Sequence, residues 1–185
     1  MQKLSAEELL AQYAMGRRNF REVDLTGAYL FEANLAEVDL TRSNLTNAHL
    51  PYADLSQATF QDAILTNAEL SDSQLYRANF VGARMQGIKL SRANLRFADL
   101  TKTELIYANL QGADLQNANL QDACLINASL VRADLEGANL TGADVQGADF
   151  FRAQGVNMAE AQLDHTTTFP DGHRQQEAEL PEPEV

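Results

Sequence analysis

From residue 20 to residue 150, every fifth position of the chain is Leu, Phe, Met or Val, without a slip. The run holds 27 such positions: 21 Leu, together with Phe20, Phe60, Phe80, Phe150, Met85 and Val145. Two residues before each stands a second, small column, Ala in 20 of the 27 cases. Its exceptions are Arg18, Val23, Val38, Ser43, Ser73, Ile88 and Thr103. A five-residue period matches no standard element. On an α-helix, residues five apart are turned by about 500°, so the apolar positions would spiral around the cylinder. On a strand, side chains alternate with a period of two. The pattern is satisfied if each pentad is one short side of a coil, with a turn between sides. The apolar residue and the small residue two before it then point inward, and the other three face solvent.

The corners carry their own signal. Two residues after the apolar position stands Gly in seven pentads, Gly27 and Gly82 among them, and Asn in four, including Asn47 and Asn67. Both residue types tolerate the positive φ that a type II turn requires at its third position. Glu22, Arg42, Asp62, Asp72 and Arg77 hold the same position and predict other turn types. Gly is concentrated after residue 80, which predicts more type II turns towards the C-terminus.

Stretches such as Ala108-Asn109-Leu110-Gln111-Gly112 and Ala113-Asp114-Leu115-Gln116-Asn117 are near copies of one unit, A(D/N)LXX. In this unit the chain resembles the pentapeptide repeat proteins, over about residues 18–168. The resemblance implies an all-β fold, a right-handed quadrilateral β-helix with four pentads per coil and about seven coils. The segments Glu8-Leu9-Leu10-Ala11-Gln12-Tyr13 and Pro170-Asp171-Gly172 are similar to the two ends of cyanobacterial members, one of which inhibits heterocyst differentiation.

The ends depart from the repeat. Ser5-Ala6-Glu7-Glu8 reads as a capping box, and Leu4 with Leu9 as a hydrophobic staple, which predicts a helix in residues 1–17 that covers the first coil. Leu9, Leu10 and Tyr13 form its apolar stripe, and Gly16 stops it. The repeat array is expected over 18–170. Gly155 stands where a Leu is due, and the register resumes three residues late with Met158 and Leu163. Phe169-Pro170-Asp171-Gly172 ends the array. Residues 171–185, rich in Glu and Pro, predict a disordered acidic tail.

Composition changes meaning against this repeat. The chain of 185 residues has 26 Leu and 28 Ala, which alone would suggest a helical bundle, yet most of them lie in the two inward columns. Its single Cys excludes a disulfide scaffold. A formal net charge of −12 argues against direct binding of nucleic acid, whose phosphates require Lys and Arg. No apolar run approaches the roughly 20 residues that span a bilayer. The opening MQKLSAEELL lacks the apolar core of a secretory signal, so a cytoplasmic protein without membrane contact is expected. The charge is banded: residues 77–102 hold six basic residues against Asp99, between acidic bands at 21–76 and 103–150.

No constellation for catalysis, metal or cofactor emerges. His49, His165 and His173 are scattered, Cys124 and His49 point outward, and the repeat carboxylates sit on a convex exterior without a cleft. An enzyme is not expected, nor is a cofactor. What remains is surface. Aligning residues twenty apart brings Tyr76, Arg77, Arg96 and Phe97 to one corner, as an intramolecular cation–π stack or a binding patch. Ile106, Tyr107 and Ile126 gather on the diagonally opposite corner, and Tyr29, Phe31, Pro51 and Tyr52 form a third block. Arg92 belongs to the basic belt. These features predict a non-catalytic scaffold that binds a protein partner, itself a monomer or a weak end-to-end dimer. The alternative is a DNA-mimicking modulator of DNA gyrase, as in the quinolone-resistance branch that the resemblance implies. Against it stand the basic belt, the lack of loop insertions and the lack of a C-terminal dimerisation helix.

Overall fold

Parallel bridges join residues twenty apart, from Asn19 with Asp39 to Asp134 with Gln154, so the fifth pentad lies over the first. Four pentads therefore make one four-sided coil. The computed structural model describes residues 1–174.

The pentads share one pattern of backbone bonding, which the unit around Leu45 illustrates in full. The N–H groups of Leu45 and Asn47 donate to the next coil, at the carbonyls of Ile64 (2.7 Å) and Thr66 (3.0 Å). The N–H of Asn44 donates to Val23 of the preceding coil, at 2.9 Å, and the N–H of Ala48 closes the corner on the Leu45 carbonyl, at 3.0 Å. The fifth amide, Thr46, has no backbone acceptor and donates to the Asn44 side chain at 3.0 Å. The same bond recurs at Asp39–Thr41, Asp54–Ser56, Asn79–Val81 and Asp99–Thr101. Where Asp or Asn precedes the apolar residue, its side chain thus satisfies the one donor that the ladder leaves over. At Pro51 there is no N–H to satisfy, and the residue before Leu50 is His49 rather than Asp or Asn.

Inside the coil, none of the 27 periodic apolar residues is more than 3% exposed. Phe60 and Phe80, one coil apart, stack with centroids 4.9 Å apart and planes 5° from parallel. The hydroxyl-bearing exceptions of the small column are also buried, and each finds a backbone carbonyl. Ser73 and Thr103 donate to Leu70 and Leu100, both at 2.7 Å. Ser43 does more: it donates to Phe20 O at 3.0 Å and accepts the N–H of Val23 at 3.2 Å, bridging a corner. Arg18, the first exception, stays outside with its guanidinium 3.7 Å from the centre of the Tyr13 ring.

The corners correct the expectation of mixed turn types. All 27 residues two after the apolar position have positive φ, +54° to +60° at the twenty with a side chain and +65° to +71° at the seven Gly. Glu22, Arg42, Asp62, Asp72 and Arg77 are no different from Asn47. The cause is tertiary: this residue's N–H must reach the next coil, and that requirement overrides the left-handed cost of about 1–2 kcal/mol per L-residue. The corner conformation does not vary from the N-terminal to the C-terminal coils.

At the start, β1 (Gln2–Lys3) pairs in parallel with β2 (Val23–Asp24), and α1 (Ala6–Ala14) follows β1. Ser5 and Glu8 form both halves of the capping box. Leu4 and Leu9 are buried in the same apolar cluster as the coils, whereas Leu10, expected in that stripe, is exposed. Tyr13, the third member of the expected stripe, is half-buried against the core, and its hydroxyl donates to Ala36 O at 2.9 Å.

At the far end the offset shrinks. Val145 donates to Gln162 and Phe150 to Thr168, seventeen and eighteen residues on instead of nineteen. Two residues are therefore lost after Gly155 and one is regained. Met158 and Leu163 pack against the core. The regained residue puts Thr167 inward, fully buried with its hydroxyl on Val145 O at 2.9 Å, and Phe169 in the apolar register. The chain then reverses: Phe169 N–H donates to His173 O, and Arg174 bridges Thr168 in the antiparallel sense. Residues 171–174, expected to begin a disordered tail, form this turn; the rest of that expectation, 175–185, lies outside the described residues.

Candidate interaction surface

Rigid corners dictate where the outward side chains can meet. Tyr76 and Phe97 meet edge to face, with centroids 5.8 Å apart and planes at 80°. The Arg77 guanidinium carbon lies 5.3 Å from the Tyr76 centroid and 5.9 Å from that of Phe97, so one cation caps two rings. Phe97 remains 44% exposed, and Arg77 is exposed as well. Arg96, placed in the same block by the sequence, turns away to Asp114, with 3.5 Å between them.

Arg92 stands on a different corner. Its guanidinium grips Asp72 of the preceding coil through two bonds of 2.7 and 2.6 Å. That carboxylate, with the nearby Tyr52 as a smaller influence, raises the Arg92 pKa above its ordinary value. Ile106 and Ile126 are half-buried one above the other, and Tyr107 beside them is 68% exposed. The structure thus brings Tyr76, Arg77 and Phe97 together and leaves Arg92, Arg96 and the Ile106–Tyr107–Ile126 corner apart from them.

Vertical ion pairs stitch the basic belt to its acidic neighbours. Lys89 reaches Glu69 at 3.3 Å, Arg92 reaches Asp72, and Arg96 reaches Asp114. Burial works against ionisation of Glu69, but the Ser71 hydrogen bonds and Lys89 outweigh it and hold its pKa below the ordinary value. Half of the belt's cations are therefore matched across coils, and Arg77, Arg84 and Lys102 point to separate corners and sides.

The N-terminal aromatic block is larger than the sequence suggested. Tyr29 stacks on Phe31 at 6.3 Å and lies 6.1 Å from the His49 ring, while Phe31 meets Tyr52 edge to face at 5.7 Å. His49, read from the sequence as a solvated side chain, joins this block because it sits one coil beyond Tyr29. The twenty-residue offset was the signal that would have found it. Among the described residues, no three His, Cys, Asp or Glu side chains are grouped to hold a metal ion. No helix among them is long and apolar enough to cross a membrane.

A comparison with curated proteins finds no match. Among solved structures, the chain is similar to HetL, a pentapeptide repeat protein involved in heterocyst differentiation regulation from the cyanobacterium Nostoc sp. strain PCC 7120. The two are 28% identical over 93% of this chain and 100% of that one, with a TM-score of 0.55. QnrB1, a plasmid-mediated fluoroquinolone resistance protein, is 20% identical over 79% of this chain and 81% of its own, with a TM-score of 0.52, a likeness of fold alone. The family model for pentapeptide repeats matches in eight copies, at residues 19–51, 53–92, 93–130, 118–153 and 128–167. With its pentads, its twenty-residue bridges and these matches in agreement, the chain belongs to the pentapeptide repeat family.

Proposed function

We propose that the chain is a non-catalytic protein-interaction scaffold: a right-handed rod of about seven coils, closed at its start by α1, that binds a protein partner through its exterior. The observation that carries this reading is the Tyr76–Arg77–Phe97 corner. It offers two rings and an arginine with no ion pair among the described residues, held on a backbone whose Arg77 and Phe97 amides each donate to the next coil at 3.0 Å. Arginine and aromatic side chains supply most binding energy at protein interfaces, and a rigid display lowers the ordering cost. The likeness to HetL, a protein involved in regulation, supports a regulatory scaffold.

Affinity capture from a native extract, comparing the chain with an Arg77→Glu, Phe97→Ala variant, tests it. Loss of one protein from the variant's catch, with an unchanged melt, is the expected result. Equal recovery of every protein removes this corner. Gyrase supercoiling assays form the second arm, and inhibition or quinolone protection by this chain would replace the scaffold with the gyrase reading.

A further inference from the structure

Exposed apolar surface is concentrated on one side of the coil, the one between the Thr26-Gly27 corner and the Phe31-Glu32 corner. Tyr29, Phe31, Tyr52, Tyr107 and Phe151 all lie on this side or its edges, five of the nine large exposed hydrophobic residues. Three of the other four, Met1, Leu10 and Met15, belong to the segment before the repeat.

The charges of this side are ordered along the rod. One edge column carries Glu32 and Asp72 in its first half and Arg132 and Arg152 in its second, with Arg92 at the midpoint. Glu32, Arg132 and Arg152 have no ion pair among the described residues. A column with an acidic start and a basic end is complementary to itself reversed.

We propose that two copies of the chain associate through this side, antiparallel, about a twofold axis at the level of Arg92. The rotation keeps each column against the same column of the second copy. It sets Glu32 opposite Arg152 and Tyr52 opposite Arg132, an ion pair and a cation–π contact, each made twice. In the next column it sets Phe31 opposite Phe151 and Pro51 opposite Val131. In the central column the Tyr29 phenol meets Asp149. The remaining column, from Gly27 through Gly87 to Gly147, contains no charge and sets Tyr107 opposite Asn67. Like charges meet only on the axis, at Lys89 and Arg92. Each is already matched within its own chain, Lys89 by Glu69 at 3.3 Å and Arg92 by Asp72 at 2.6 Å.

The contact is closed and isologous, so association stops at two. Six coil spacings of about 4.8 Å by five residues of about 3.3 Å give a face of roughly 29 by 16 Å. Two such faces bury on the order of 900 Å², below the usual 1,200–2,000 Å² of stable interfaces, so the dimer is reversible and dissociates on dilution. This inference stands apart from the scaffold reading, because the Tyr76–Arg77–Phe97 corner remains outside the dimer contact.

Sedimentation velocity on the full chain, across a roughly thousandfold range of concentration, tests it. A monomer–dimer equilibrium weakened by salt is expected. Glu32→Arg and Arg152→Glu should each weaken the dimer about tenfold or more by opposing like charges twice, and the double variant should restore it to within a few-fold. Ser91→Cys, placed at the axis in a Cys124→Ser background, should form a disulfide-linked dimer on oxidation. A chain that stays monomeric throughout overturns the proposal, as does a double variant no better than either single one. An end-to-end dimer, indifferent to the charge swaps and not cross-linked at residue 91, overturns it equally.

Discussion

Gly155 is the residue on which the end of the array depends. It has φ of +64°, and a Cβ added there would lie 2.5 Å from the Cα and 2.6 Å from the backbone nitrogen of Glu136. Those are backbone atoms of the preceding coil, so no rotamer change relieves the overlap. Gly27 provides the control. Its φ is +67°, and nothing lies within 4 Å of an added Cβ. Gly27→Ala therefore measures only the left-handed conformation, about 1–2 kcal/mol at most, reduced by the lower entropy of the unfolded chain. Gly155→Ala adds the overlap, about 1–3 kcal/mol for an overpacked site, for a total of about 2–5 kcal/mol. Urea denaturation of both variants gives the two losses. Hydrogen exchange should localise the second, because the amides of Gln154 and Leu135 bond across this junction, both at 2.9 Å, and should lose protection. If Gly155→Ala costs no more than Gly27→Ala, the close approach of the two coils is wrong.

Two further outcomes follow from the same bonding. Ser43→Ala should cost about 1–3 kcal/mol by stranding the Val23 N–H and removing a bridge, while Ser73→Ala should stay within about 0.5 kcal/mol because Leu70 O keeps the Ser73 N–H; thermal melts of the pair check the contrast, and equal losses would refute it. For Asp39, burial opposes ionisation, but the Thr41 bonds and Arg21 overcome it and lower the folded pKa. Its stabilisation is then fully present above the unfolded carboxylate value and is lost as pH falls through the folded one, so Asp39→Asn should flatten the acid limb of stability against pH.

The inward columns were legible because a five-residue period admits one arrangement, and every residue from Phe20 to Phe150 on that period is buried. Local propensity misled at the corners. Arg42 and Asp62 do not favour positive φ, yet a neighbouring coil that needs their amides imposes it. The Asx column was visible as composition, but its role appeared only once the ladder had left Thr46 and its equivalents without an acceptor. At the end, Gly155 announced one slip, while Phe169-Pro170 read as a terminator and concealed the second. The surface was legible by column but not by direction: residues twenty apart located the Tyr76 corner, and only side-chain geometry separated Arg77, which caps the rings, from Arg96, which leaves for Asp114.

The twenty-residue bridges also set the units in which such a chain can change length. Removing residues 96–115 would join equivalent points of two adjacent coils, leaving every column in its place and the rod one level shorter. Removing five residues would keep Leu and Ala inward but turn everything beyond the cut by a quarter of a circuit. The Arg92–Asp72 and Lys89–Glu69 pairs, and any face assembled from several levels, depend on side chains staying in line across such a junction. Natural relatives that share a surface with this chain should therefore differ from it in length by whole circuits, whereas those that share only its interior are free to differ by single pentads.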